Sequence, residues 1–230
     1  MVLVANVLFS ACVVFTMYML FISSKKQSVL WFSIAWLSIM GMALISGFFE
    51  NTHATPPRLP VLLGPLIVLF IILFSTRKGR AFLSEWDVEK LLVLSLVRIP
   101  VELCLFWLYA AGSVPIEMTF EGRNFDIFAG LLVPIVWYYA FRKEPKNKWV
   151  LYTWNILGIV LLTNIIVTAI LSVDTPFQVF GQNQPNTAVL GLPFGFLACY
   201  VAPAVLFSHM IIFMKWIQGS LFSLEKTTAS

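Results

Sequence analysis

The sequence predicts an all-α membrane protein: a bundle of seven transmembrane helices, N-terminus outside and C-terminus inside. Three observations carry that prediction. Of 230 residues, 60% are hydrophobic and 11% charged, where a soluble domain carries roughly 25% charged residues. The apolar residues fall into seven runs of about the length needed to span a bilayer. The basic residues cluster in alternate connections between those runs.

The runs are 2–22, 29–48, 59–75, 90–111, 126–141, 149–172 and 189–217. The first has no Lys or Arg before it, and Lys25 and Lys26 follow it. A secretory signal has the reverse order, so this run reads as a permanent first helix. The third is short and begins among Pro56, Pro57 and Pro60, which suits a helix start after a rigid turn. The fourth follows RAFLSEWDVEK. There Ser84 and Asp87 suggest a helix cap with a carboxylate in its first turn, and Trp86 a place at the membrane interface. The fifth is short and holds Pro134; the seventh is long, with Pro193 near its start and Pro203 within. Runs spread from end to end leave no room for a soluble domain. Residues 1–220 read as one transmembrane domain and 221–230 as a short cytoplasmic tail.

The connections fix the expected orientation. The first, third and fifth carry Lys25, Lys26, Arg77, Lys78, Arg80, Arg142, Lys143, Lys146 and Lys148, and the tail region Lys215 and Lys226; the others carry only Arg58 and Arg123 as cations. Lys and Arg stay on the cytoplasmic side, so the expected setting is a multi-pass protein of a bacterial-type plasma (inner) membrane. The net charge of +4 is then topological, and the lipid bilayer, not nucleic acid, is the expected partner. Cys12, Cys104 and Cys199 all lie inside apolar runs and read as packing residues, with no disulfide framework.

Only one run carries two charges near its middle: Arg98 and Glu102, in VRIPVELCLFWLY. A charge in the hydrocarbon region costs at least a few kcal/mol and usually faces a protein interior or a watery cavity. Four residues apart, the two share one helix face, which Ser95 and Tyr109 extend. They read either as a ligand or ion site or as an internal salt bridge. Pro100 between them removes a backbone donor and predicts a kink. At about 1.5 Å per residue, Arg98 and His209 both lie about 12 Å from the inner end, so the two are expected to meet across the bundle. In the sixth run Asn155 and Asn164 are nine apart and point in opposite directions. Asn164 is the one expected to face the charged stripe, with Asn155 near the inner surface beside Trp154. The expected ligand-binding set is Arg98, Glu102, Asn164 and His209, in a pocket closed on the inner side by Trp149, Trp154 and Trp216. Interhelical hydrogen bonding is the plainer role for the asparagines.

The outer connections are polar. VPIEMTFEGRNFD gathers Glu117, Glu121, Arg123 and Asp126, and Gly122 suggests a turn that sets Glu121 beside Arg123. DTPFQVFGQNQPN gathers Gln178, Gln182, Gln184 and Asn186 with Phe177 and Phe180. Amides interleaved with aromatics suit polar uncharged ligands, or a solvated lid over the bundle mouth.

With two histidines in all, the chain lacks the inventory for a membrane zinc hydrolase. No lysine stands in the middle of the seventh run to hold a retinal Schiff base. No Walker motif, HExxH or nucleophile elbow is present, and no internal repeat suggests an inverted-repeat transporter. No metal or cofactor is expected. The leading expectation is binding or passage of a small polar or anionic solute around Arg98 and Glu102. The alternatives are a non-catalytic membrane subunit or sensor with a structural polar core and a partner protein, and a lipid-modifying enzyme using Glu102 or His209. The enzyme reading lacks a nucleophile, base and orienting group.

Overall fold

The computed structural model of the chain describes residues 1–219 and is helical throughout its ordered elements, with no strand among the described residues. The expected tail 221–230 and Lys226 lie outside the described residues. Helices α1 (Val2–Ser24) and α2 (Gln27–Ile45) are joined by a tight turn at Lys25, which adopts the left-handed conformation. Helix α3 (Pro60–Ser75) starts on Pro60, where a missing N–H costs nothing. Helix α4 (Arg77–Ser84) turns away from α3 by 91°. Helices α5 (Val88–Leu94) and α6 (Arg98–Ala110) form one rod through a 3-10 turn at Ser95–Val97. Two short helices, α7 (Ile127–Leu131) and α8 (Val133–Trp137), run into a π turn at Tyr138–Arg142. Helix α9 (Lys148–Ile170) is long, and α10 (Ala202–Ile217) follows a π turn at Leu197–Val201.

Each of the seven apolar runs thus contains helix. Among the described residues, five helical segments are long and apolar enough to cross a membrane: Val2–Ser24, Gln27–Ile45, Val88–Ala110, Lys148–Ile170 and Leu197–Ile217. The bent pair α3 and α4 makes a sixth if taken as one span, and Ile127–Arg142 is apolar but shorter. The architecture is that of a multi-pass helical membrane protein.

Three local expectations need correction. The seventh helix begins at 195–197, not 189: Gly191 and Pro193 lie in the turn that keeps the first part of that run out of the long helix. The third connection is not a loop but the amphipathic helix α4, capped by the Thr76 hydroxyl, which accepts from Gly79 N at 3.1 Å. The cap of α5 is Asp87, which accepts from Lys90 N at 3.2 Å, while Ser84 donates to Ala81 O instead. Trp86 is buried, only 3% exposed, against Phe207.

The prolines shape the helices as their chemistry requires. Pro203 has no N–H for the carbonyl of Cys199, and the preceding turn relaxes to π geometry. The freed Cys199 carbonyl accepts from Trp36 Nε1 at 2.7 Å, which ties α2 to that turn. At the break before Pro134, Ala129 O accepts from Trp154 Nε1 at 2.8 Å. Pro100 sits just after the 3-10 turn at Ser95–Val97. In an apolar bundle a freed carbonyl needs an internal donor: the Trp36 indole supplies one to Cys199 O, and the Trp154 indole bonds Ala129 O, next to the Gly130 carbonyl that Pro134 frees.

The core runs along α1, α5, α6 and α10, with Phe9, Leu91, Leu92, Leu94, Ile211 and Ile212 fully buried. Helix α2 packs on α1 and barely touches α3. The connections gather at two opposite ends. At one, Asp87 N donates to Ser23 O at 2.9 Å, Lys26 pairs with Glu85 at 2.7 Å, Arg142 pairs with Glu89 at 2.8 Å, and Lys215 Nζ donates to Trp86 O at 2.6 Å. At the other, Thr187 N donates to Ser113 O at 3.0 Å, Asn164 donates to Arg123 O at 2.9 Å, and His53 faces Asp174 at 3.6 Å.

Candidate functional site

The charged residues of α6 meet three other helical segments in one buried polar junction. Arg98 and Glu102 are each 2% exposed, and His209 not at all. The 3-10 turn before Arg98 places Ser95, also fully buried, one turn below it on the same rod.

Arg98 is paired, but not with the expected partner. Among the described residues its ion pair is with Asp126, Nε to Oδ2 at 3.3 Å. Asp126 was expected in a solvated outer loop; it is 4% exposed at the start of α7. Arg98 Nη2 also donates to Gly158 O on α9 at 3.0 Å. The approach needs glycines: a Cβ on Gly158 would run into the His209 ring, and one on Gly130 would lie 2.9 Å from Ile99 and 3.4 Å from Arg98 Cβ.

Glu102 is held by Asn124, whose Nδ2 lies 2.6 Å and 2.7 Å from its two carboxylate oxygens. That nitrogen also donates to Met118 O at 3.0 Å, and Asn124 Oδ1 accepts from Asp126 N at 3.1 Å. The fourth connection therefore dips into the bundle. Thr119 O receives both Gly122 N and Asn124 N, and Gly122 has no room for a Cβ against Ile116 O. Arg123 does not pair with Glu121: its guanidinium stacks 4.7 Å from the centre of the Phe180 ring, and Glu121 points to the surface. Glu117 is half-buried.

His209 is gripped by Asn155. Its Nδ1 lies 2.7 Å from Asn155 Oδ1, and Asn155 Nδ2 donates to His209 O at 3.2 Å. An amide oxygen only accepts, so the neutral ring carries its proton on Nδ1 and leaves Nε2 as an acceptor. Trp154 covers the ring with centroids 5.0 Å apart. The expected choice between the two asparagines is thus reversed. Asn155 joins the interior, 1% exposed, while Asn164 lies at the other end, on Arg123 O. The expected inner closure changes as well: Trp154 belongs to the junction, while Trp216 stacks on Tyr152 and Trp149, 61% exposed, meets the same ring edge-on.

The amides of the sixth connection serve the protein's own backbone. Gln184 donates to Tyr109 O at 2.9 Å and Val114 O at 2.6 Å, and Gln178 to Phe180 O and Gly181 O at 3.0 Å each. Asn186 is buried and donates to Ala169 O, while Gln182 is exposed. This segment ties the bundle end together and leaves few free amides for a ligand.

Inside the junction several polar atoms have no protein partner: Ser95 Oγ, Arg98 Nη1, Asp126 Oδ1 and His209 Nε2. A buried polar atom left this way costs about 1–3 kcal/mol. The set combines donors and acceptors. Asn124, Asn155, Trp154 and the two glycines carried no signal in the sequence beyond residue type, because their partners lie 22 to 60 residues away. Among the described residues no group of three or more His, Cys, Asp or Glu is placed to hold a metal ion. Comparison of the chain with protein-family models, with curated proteins and with solved structures finds no match.

Proposed function

We propose that the chain crosses the plasma membrane seven times, N-terminus outside, and binds or passes a small polar solute at the Arg98–Asp126–Glu102–His209 junction. The one-ended gathering of Lys25, Lys26, Arg77, Lys78, Arg142 and Lys143 supports the orientation. Helix α3 and the segment Ile127–Arg142 each have 16 residues and reach about 24 Å. That is short of a typical 30 Å core, but local thinning accommodates it. Cysteine labelling of intact cells tests the topology. A cysteine at Gln182 should react from outside and one at Lys25 should not, and the reverse pattern rejects the orientation.

One observation carries the solute reading: unpartnered donor and acceptor atoms belong to the residues of a buried junction that holds an ion pair and a second carboxylate. One guanidinium faces two carboxylates, so the junction favours a cation or a proton-exchanging neutral molecule over an anion. The anionic part of the sequence expectation gives way to that balance. Glu102, held by the Asn124 amide rather than by a counter-ion, is the natural proton carrier. Thermal unfolding of the purified protein with amines, ammonium, sugars and phosphate tests this reading. An amine or neutral solute should stabilise the wild type and have no effect on Glu102→Gln. Stabilisation by phosphate alone reverses the charge argument.

The second reading, a non-catalytic membrane subunit, is favoured by how fully Asn124 and Asn155 are engaged. It predicts no solute-dependent shift at all. Among the described residues no Ser, Thr or Cys is hydrogen-bonded to Glu102, Asp126 or His209, so nothing favours the lipid-modifying enzyme.

A further inference from the structure

Helices α2 and α3 diverge, and between them, α10 and α4 lies a crevice of about 230 Å³. Phe32, Leu66, Phe70 and Phe207 give it an apolar wall, and it reaches inward from Ser28 and Leu73 to Ser33 and Leu66. Leu66 is nine residues from Ser75, so the crevice runs about 14 Å along the helices from the basic end. Two buried polar side chains, Trp86 and Tyr200, also line it. They are 3% and 4% exposed; Trp86 Nε1 has no hydrogen bond to the protein, whereas Tyr200 Oη lies beside the Ser33 hydroxyl. The neighbouring Ser33 hydroxyl donates to Val29 O at 2.9 Å, and its oxygen remains able to accept from the Tyr200 phenol.

We propose that this crevice binds one acyl chain of an anionic phospholipid, whose ester or phosphate oxygens accept from Trp86 and whose headgroup lies over Lys25 and Lys26. Four features select that occupant. An apolar crevice in a bilayer is filled by hydrocarbon, because water gains nothing there. A second helix, 10–12 Å across, is too wide to enter, and its carbonyls are already bonded within the helix. The Trp86 indole N–H wants an acceptor that hydrocarbon lacks, and the glycerol esters of a lipid supply one at interface depth. Cations stand at the mouth: Lys26 Nζ lies 5.0 Å over the ring of Phe82, itself part of the wall, while pairing with Glu85 at 2.7 Å, and Lys25 beside it is exposed. A basic patch at the inner surface attracts anionic headgroups. The proposal requires the helices to lie in a bilayer and is independent of the polar junction.

The test is native mass spectrometry of the full chain from mild detergent, titrated with phosphatidylglycerol or phosphatidylcholine. The wild type should retain one phosphatidylglycerol where Ala204→Phe, which fills the crevice, retains none. Trp86→Phe, a milder change, should bind it about fivefold more weakly, the loss of one hydrogen bond. Phosphatidylglycerol with bromine on its chains should quench the fluorescence that wild type has and Trp86→Phe lacks. Equal retention by wild type and both variants, or absence of that quenching, overturns the site. Equal affinity for phosphatidylcholine overturns the headgroup assignment. A protein cross-linked through Phe32→Cys in native membranes and undisplaced by phosphatidylglycerol overturns the lipid as occupant.

Discussion

The helices at the centre of this bundle and those at its edge are nearly equal in hydropathy and opposite in environment. In Val88–Ala110 and Leu197–Ile217, 61% and 67% of the apolar window is buried; in Gln27–Ile45 the figure is 22%. The central helices carry Ser95, Arg98, Glu102, Ser208 and His209, and all five are buried. The edge helix shows Trp31, Ile39 and Met42 to its surroundings. Lipid tails are as apolar as Leu, so hydrophobicity does not rank helices from lipid to centre; polar partners and close backbone approach do.

The largest effect should come from breaking the central ion pair. Asp126→Ala leaves Arg98 buried with its direct partner gone, and should cost about 3–5 kcal/mol. The double change Arg98→Met with Asp126→Leu should cost clearly less, since no buried charge is stranded. Denaturant unfolding in detergent measures both. A silent Asp126→Ala would show that the pair is not desolvated and would erase the contrast with the edge.

A glycine pair sharpens the comparison at lower cost. Gly158→Ala places a methyl against the His209 ring and should destabilise by about 1–3 kcal/mol, as overpacking does. Gly64→Ala on α3 meets nothing within 4 Å, so it should be neutral or stabilise by up to about 1 kcal/mol through helix propensity. Differential scanning fluorimetry should show a lower melting temperature for Gly158→Ala and an unchanged or higher one for Gly64→Ala. An unshifted Gly158→Ala would mean that α9 is free to move away from α10.

The smallest effect belongs to the lipid-facing edge. Trp31→Leu, at a side chain 65% exposed, should change stability by no more than about 0.5 kcal/mol in the same assay. A larger loss would reveal a contact on that face which the chain alone does not make.

Much of the fold was legible because helix and hydropathy are local properties. The run 149–172 became α9 almost residue for residue, and the alternation of Lys25, Lys26, Arg77, Lys78 and Arg142 with polar amide loops matched the two ends where connections meet. The site was legible in part. Arg98, Glu102 and His209 stood out as polar groups in apolar runs, and they lie in one junction. The reading failed where it had to choose a partner. Four-residue spacing put Glu102 on the face of Arg98, yet Asn124 takes both Glu102 oxygens, and Asp126 arrives from across the bundle. Depth counting favoured Asn164, but the rotation of α9 is set by Gly158, which lets that helix close on His209 and turns Asn155 inward.

Composition and apolar period are enough to make the chain helical and suited to a bilayer, to place its helical segments, and to single out three side chains that need an explanation. They suffice because a backbone in hydrocarbon must bond within its own helix. Only the tertiary structure decided that Asp126 neutralises Arg98, that Asn124 drops from a loop onto Glu102, and that Trp36 and Trp154 serve carbonyls at proline breaks. These contacts join residues 22 to 163 positions apart. Their identity depends on helix rotation and on where a glycine allows two backbones to meet, and no local pattern encodes either.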